Sequence, residues 1–121
     1  MFVKSVSWID KESLEAEVTV SDNYIEVLCF SQPFKKNIGE IFTEPIYCLD
    51  VENVFLSEEK NFYINKNNSS FGYSIRGEFI NEEEKLVRLG DIILCLEDGY
   101  IPNDIAVHHF IEFDVSRLNL Y

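Results

Sequence analysis

The sequence predicts an all-β, mainly antiparallel domain, and three observations carry that expectation. Apolar and polar residues alternate strictly over Leu14 to Val20, the period of a half-buried strand, and over His108 to Val115 the positions His109, Ile111, Phe113 and Val115 alternate with His108, Phe110, Glu112 and Asp114. Turn-forming residues punctuate the short apolar segments at Ser21-Asp22-Asn23, Asn81 to Glu84, Gly90-Asp91 and Asp98-Gly99. Helical spacing is confined to Val51, Val54 and Phe55, enough for one or two turns within Val51 to Lys60. Short strands so arranged point to a small closed or partly open β-barrel, OB-like or sandwich-like, of about seven strands with at most one or two short helical turns.

Taken in order, Leu14, Ala16, Val18 and Val20 share one face of the first strand while Glu15, Glu17 and Thr19 take the other. The Ser21-Asp22-Asn23 turn leads into a strand over Tyr24 to Ser31, so a hairpin is expected. In it Ile25, Val27 and Cys29 face opposite to Tyr24, Leu28 and Phe30. Glu40 to Asp50 reads as extended chain interrupted at Pro45, which marks an edge, a bulge or a switch between sheets because proline cannot donate to a ladder. Phe62-Tyr63-Ile64 looks like strand, Asn65 to Ser70 like loop, and Phe71 to Asn81 like strand, with Gly72 and Gly77 as bulge or close-approach positions. Asn81 to Glu84 turns the chain into Lys85 to Val87, and Ile92 to Leu96 is expected to be buried on both faces. Pro102-Asn103-Asp104 suits one helical turn, and His109, Ile111, Phe113 and Val115 form the buried face of the last strand.

A chain of 121 residues and 14.1 kDa fits a single β-barrel-like domain, 1–121, because domains cluster near roughly 100–150 residues. With 46% apolar residues, ten Phe and six Tyr it has the material for a packed core. Charged residues follow Met1 to Trp8 before any signal-length apolar stretch, and the longest apolar run, Ile92 to Leu96, is far short of the ~20 residues a spanning helix needs. Cys29, Cys48 and Cys95 lie far apart among apolar neighbours, the pattern of buried free thiols in a reducing cytoplasm. On that reading the glycosylation-type pattern in Asn67 to Ser70 is simply loop.

Charge narrows the function. Twenty-two Asp and Glu against ten Lys and Arg give a net charge of −12, which repels phosphate and attracts cationic surfaces. Direct nucleic-acid binding is therefore not expected, nor is membrane association. Catalytic and cofactor motifs are not recognisable: no nucleophile elbow, no cysteine-protease signature and no glycine-rich phosphate loop. His108 and His109 are neighbours on a strand, so their rings point apart and do not chelate one ion. No catalytic residue, cofactor or metal site is assigned.

The expected contacts with a partner are the acidic turn Glu82, Glu83 and Glu84, the second acidic turn Glu97 and Asp98, and the aromatic residues Phe30 and Phe110 beside Glu112. Rings ringed by carboxylates suit an interface with a basic protein, where charge sets the on-rate and buried rings the affinity. In size and charge the chain looks like small acidic bacterial immunity proteins, which neutralise basic nuclease toxins. That resemblance implies a basic partner, a toxin or a nucleic-acid-processing protein, and a cytoplasmic inhibitor. Two alternatives stand beside it. One is a self-associating β-barrel subunit, a homo-oligomer joined by edge strands or by the faces near Phe30 and Phe110. The other is a small-ligand module or enzyme using a barrel mouth.

Overall fold

The computed structural model describes residues 1–67 and 71–121. It has eleven strands: β1 (Phe2–Asp10), β2 (Glu15–Ser21), β3 (Glu26–Ser31), β4 (Ile46–Leu49), β5 (Glu52–Leu56), β6 (Tyr63–Lys66), β7 (Tyr73–Asn81), β8 (Leu86–Leu89), β9 (Ile92–Cys95), β10 (Phe110–Val115) and β11 (Arg117–Asn119). All join one sheet in the order β1-β2-β3-β11-β4-β9-β8-β7-β10-β5, with β6 on β7. Pairing is antiparallel except between β11 and β3 and between β4 and β9. The all-β, mainly antiparallel expectation is met. The sheet is not closed by hydrogen bonds, and eleven strands replace the seven expected.

One sheet face makes the core, because each strand sends alternate apolar side chains to the same side. Ala16, Val18 and Val20 of β2 and Val27 and Cys29 of β3 are buried together with Ile75 and Phe79 of β7 and Ile111, Phe113 and Val115 of β10. Those of β2, β3 and β10 are alternating positions the sequence marks. Among the described residues no segment is helical. The Val51 to Lys60 segment is the edge strand β5, with left-handed backbone at Asp50 and Asn53 (φ 52° and 56°) in place of a helical turn. Pro102 to Ile105 is a single hydrogen-bonded turn, Ile105 N–H donating to Pro102 C=O at 3.1 Å.

Other differences have local causes. β1 is a strand that alternation does not reveal, because register shifts between Val3 and Ser5 and between Trp8 and Asp10 break its period. Pro45 directly precedes β4, a strand paired on both sides, so it marks a strand start where no N–H is needed. Asn65 and Lys66 belong to β6, paired with Ser74 and Tyr73, while the remainder of the expected loop, residues 68–70, lies outside the described residues. Both His108 and His109 are exposed and precede β10.

Two positions lock the turns to the sheet. β7 pairs with β6 through Tyr73 to Arg76 and with β8 through Glu78 to Asn81, and Gly77 sits at the fork. A Cβ there would lie 2.6 Å from Arg88 O and from Val87 Cγ1, so the close approach of β8 requires glycine. At the far end of β8, Asp22 ties two turns together. Its Oδ1 accepts from the N–H groups of Tyr24 (2.9 Å) and Ile25 (2.7 Å), and its Oδ2 accepts from Asp91 N–H (2.9 Å). Gly90, with φ +62°, leaves room for that carboxylate, which a Cβ would overlap. Burial pushes the Asp22 pKa up, but the N–H donors of Asp91, Ile25 and Tyr24 together outweigh it and hold the carboxyl below the ordinary aspartate value.

Two stability predictions follow from these locks. Gly77→Ala should destabilise by ~1–3 kcal/mol in urea unfolding, since backbone rather than a flexible side chain must move. Asp22→Ala should cost about 2 kcal/mol at neutral pH, as hydrogen bonds to an ionised group are the stronger kind. The wild-type advantage should be full above ~pH 4, the unfolded aspartate pKa, and should shrink as pH falls through the lower folded pKa. An advantage unchanged down to strongly acid pH would contradict the role of the ionised form.

Candidate protein-interaction site

The pairing of β8 with β9 decides where the acidic turns meet. Leu86 lies opposite Cys95, and Leu96 N–H donates to Lys85 C=O at 2.9 Å, so the chain before β8 and the chain after β9 run side by side. Glu82, Glu83 and Glu84 form the β7–β8 turn, closed by Asn81 Oδ1 accepting Glu84 N–H at 2.8 Å and by the left-handed Lys85 (φ 54°). Glu97 and Asp98 form the turn after β9, where Gly99 N–H donates to Leu96 C=O at 2.7 Å. Glu83, Glu84 and Glu97 thus line one shallow depression of about 320 Å³ with Pro45, Tyr47, Lys85 and Cys95. Glu82 borders a neighbouring depression of about 310 Å³ with Tyr100 and Pro102.

All five carboxylates at this end are exposed, and no ion pair engages any of them among the described residues. The one cation among them is Lys85. Its ammonium donates to the carbonyl of Gly99 at 2.9 Å and more loosely to that of Glu97 at 3.5 Å. Backbone carbonyls therefore occupy the lysine and leave the carboxylates open. Aromatic surface adjoins them: Tyr100 is 74% exposed, and Tyr47 packs edge-on against Tyr121 at 5.3 Å.

The other expected contact residues lie elsewhere. Phe110 and Glu112 stand on the outer face of β10, and Phe30 on β3, with five strands between them along the sheet order. Phe110 is half-buried beneath Phe62, with ring centroids 5.5 Å apart, and Phe30 is half-buried beneath the Arg117 guanidinium at 4.5 Å. Glu112 already accepts from Ser57 Oγ at 2.8 Å and from Arg76 Nε at 3.3 Å. The two acidic turns are brought together; Phe30, Phe110 and Glu112 do not join them.

Sequence reading missed a row that crosses four strands. Phe55, Glu112, Arg76 and Tyr63 are successive register partners on β5, β10, β7 and β6, and Arg76 stacks over Tyr63 at 5.3 Å. Arg76 also pairs with Glu59 at 3.1 Å and donates to Asn61 Oδ1 at 2.6 Å. Beside it, hydrogen bonding to His108, then the Arg88 guanidinium, holds Glu78 below the usual carboxylate range against an intermediate opposing effect of burial. Lone arginines in a strand carry no local signal of such a row.

Cys29, Cys48 and Cys95 are buried free thiols, and burial raises the pKa of each, most strongly for the first two. Among the described residues no three His, Cys, Asp or Glu gather for a metal ion, and no helix is long and apolar enough to cross a membrane. No family model, curated protein or solved structure matches the chain. Arg76→Ala should leave Glu112 and Asn61 short of a donor and cost about 1–2 kcal/mol in chemical unfolding. A midpoint within error of wild type would show the row to be a surface ornament without energetic weight.

Proposed function

We propose that this chain is a non-catalytic acidic interaction protein that binds a basic partner protein through the end of the sheet bearing Glu82, Glu83, Glu84, Glu97 and Asp98. The observation that supports it is the convergence of two sequence-distant acidic turns on adjoining depressions, with the local lysine held by backbone carbonyls. Lysine or arginine side chains of the partner enter between Glu83, Glu84 and Glu97, beside Tyr47 and Pro45. Charge then draws the partner in, and contact with Tyr47 and Tyr100 adds apolar burial. The curled, one-face-buried sheet serves this role as a partly open barrel that holds the turns rigidly.

A basic partner that handles nucleic acid is the natural target of such an end, because carboxylates can stand where phosphates stand. The inhibitor reading, in the manner of an immunity protein, rests on that equivalence and on the net charge of −12. The three free thiols support a cytoplasmic setting.

The decisive variant reverses Glu83, Glu84 and Glu97 to lysine together. With a basic protein captured from native lysate as partner, association should slow about tenfold or more near 0.1 M salt and lose most of its ionic-strength dependence. Unaltered association and unaltered salt dependence would remove this end from the interface.

A further inference from the structure

The two ends of the sheet order are unequal. β1 is capped over its first residues, where Val3 N–H donates to Glu40 C=O at 3.1 Å and Gly39 N–H to Val3 C=O at 2.7 Å, and two register shifts interrupt its length. β5 has no such cover among the described residues. It pairs with β10 alone, through Leu56↔Ile111 and Phe55↔Glu112. Ser57 N–H donates to Phe110 C=O at 2.9 Å, so by the alternation of an antiparallel ladder Phe55 also points its N–H and C=O at β10. Val54 and Leu56 therefore direct theirs away from the sheet. The bulge at Asn53, which shifts the register between Glu112 and Asp114, limits the open stretch to Val54 to Leu56.

The chemistry beside this edge is apolar with an acidic margin. Phe55 is 51% exposed and Leu56 39%, and with Phe110 they line an open groove of about 750 Å³. Glu58 and Asp104 border the groove together with Lys60, His108 and His109, and Glu52 stands at the start of the strand, so three exposed carboxylates face one lysine there. Natural edges are commonly blunted by lysine or proline, and β5 carries neither. A second copy would bring another chain of charge −12 to the same margin.

We propose that β5 is a strand-addition site for an extended segment of another protein that alternates apolar residues with lysine or arginine. The backbone of the segment pairs with Val54 and Leu56, its apolar side chains on one face cover Phe55 and Phe110, and its cations reach the carboxylates that border the groove, Glu58 and Asp104. This groove shares no lining residue with the depression that Glu82 borders, although Asp104 lies between Asn103 and Ile105 of that depression, and the proposal does not rest on the role given to the acidic end.

The test uses the full chain and a short synthetic peptide of alternating valine and lysine, followed by amide NMR. Titration should shift the amides of Val54, Phe55, Leu56 and Phe110. The same peptide N-methylated along one edge should bind about tenfold more weakly, a difference equal to ~1.4 kcal/mol. Leu56→Pro, which removes an outward N–H while sparing the β10 bonds, should weaken binding about as much, and Leu56→Ala only about two- to threefold. The Glu83, Glu84 and Glu97 reversal should leave this titration unchanged. Absence of shifts at Val54 to Leu56, equal binding of the N-methylated peptide, or self-association of the free protein through β5 would each overturn the proposal. The wild-type titration and the N-methylated peptide decide it even if Leu56→Pro fails to fold.

Discussion

The pairing of residues 110–119 on both sides holds this molecule together. Its first part, β10, lies between β7 and β5; its second part, β11, lies between β4 and β3. By strand pairing among the described residues, the β1-β2-β3 segment joins the rest of the sheet through β11, and β5 joins it through β10. Ser116 makes the change of neighbours possible: its N–H donates to Leu49 C=O at 3.0 Å and its Oγ to Asp50 Oδ2 at 2.7 Å. The same stretch buries Ile111, Phe113, Val115 and Leu118, and Leu120 directly after it is buried too, so hydrogen bonding and apolar burial fall on one segment. Such dependence on contacts distant in sequence is typical of mixed sheets, which fold more slowly than locally connected ones.

The frame fixed by this segment decides what is left at the surface. Because β4, β9 and β8 are held in order from β11, the turns that flank β8 and β9 project from one end, and their carboxylates converge. Because β10 must pair on two sides, β5 is left with one bonded edge and one open one. Acidic residues outnumber basic ones by twelve, so many carboxylates find no internal cation, and the ion pairs that form are concentrated on Arg76, Arg88 and Lys36. The Arg76 and Arg88 pairs organise the outer face of β7 and β10 and the Lys36 pairs the β3–β4 loop, while no ion pair among the described residues engages the acidic turns.

How much of this was legible depended on whether the signal was local. The alternation in Ala16 to Val20 and in Ile111 to Val115 marked inward faces correctly because those strands are half-buried and regular, whereas Leu14 sits in the turn before β2 with left-handed backbone and His109 is exposed before β10. Asp22 was readable as turn chemistry, but its bond to Asp91 N–H was not, because that contact spans the fold. β5 has exposed residues on both faces and left-handed positions at Asp50 and Asn53, so its weak period passed for a helical one. The meeting of Glu84 with Glu97 was recoverable in principle: if Gly90-Asp91 turns β8 into β9, the partners two steps beyond Leu86 and Cys95 are those glutamates. The parallel pairings of β11 with β3 and of β4 with β9 leave no local trace.

The most direct test of the acidic-end account is zero-length carbodiimide cross-linking in native lysate, which joins a lysine only to a carboxylate in contact with it. Mass spectrometry of the products should place lysines of one basic protein on Glu83, Glu84 and Glu97, with far fewer links to the exposed carboxylates of the β1–β2 turn, Asp10 and Glu12. Links spread evenly over the exposed carboxylates, or gathered on the β1–β2 turn with none at Glu83, Glu84 and Glu97, would contradict the account.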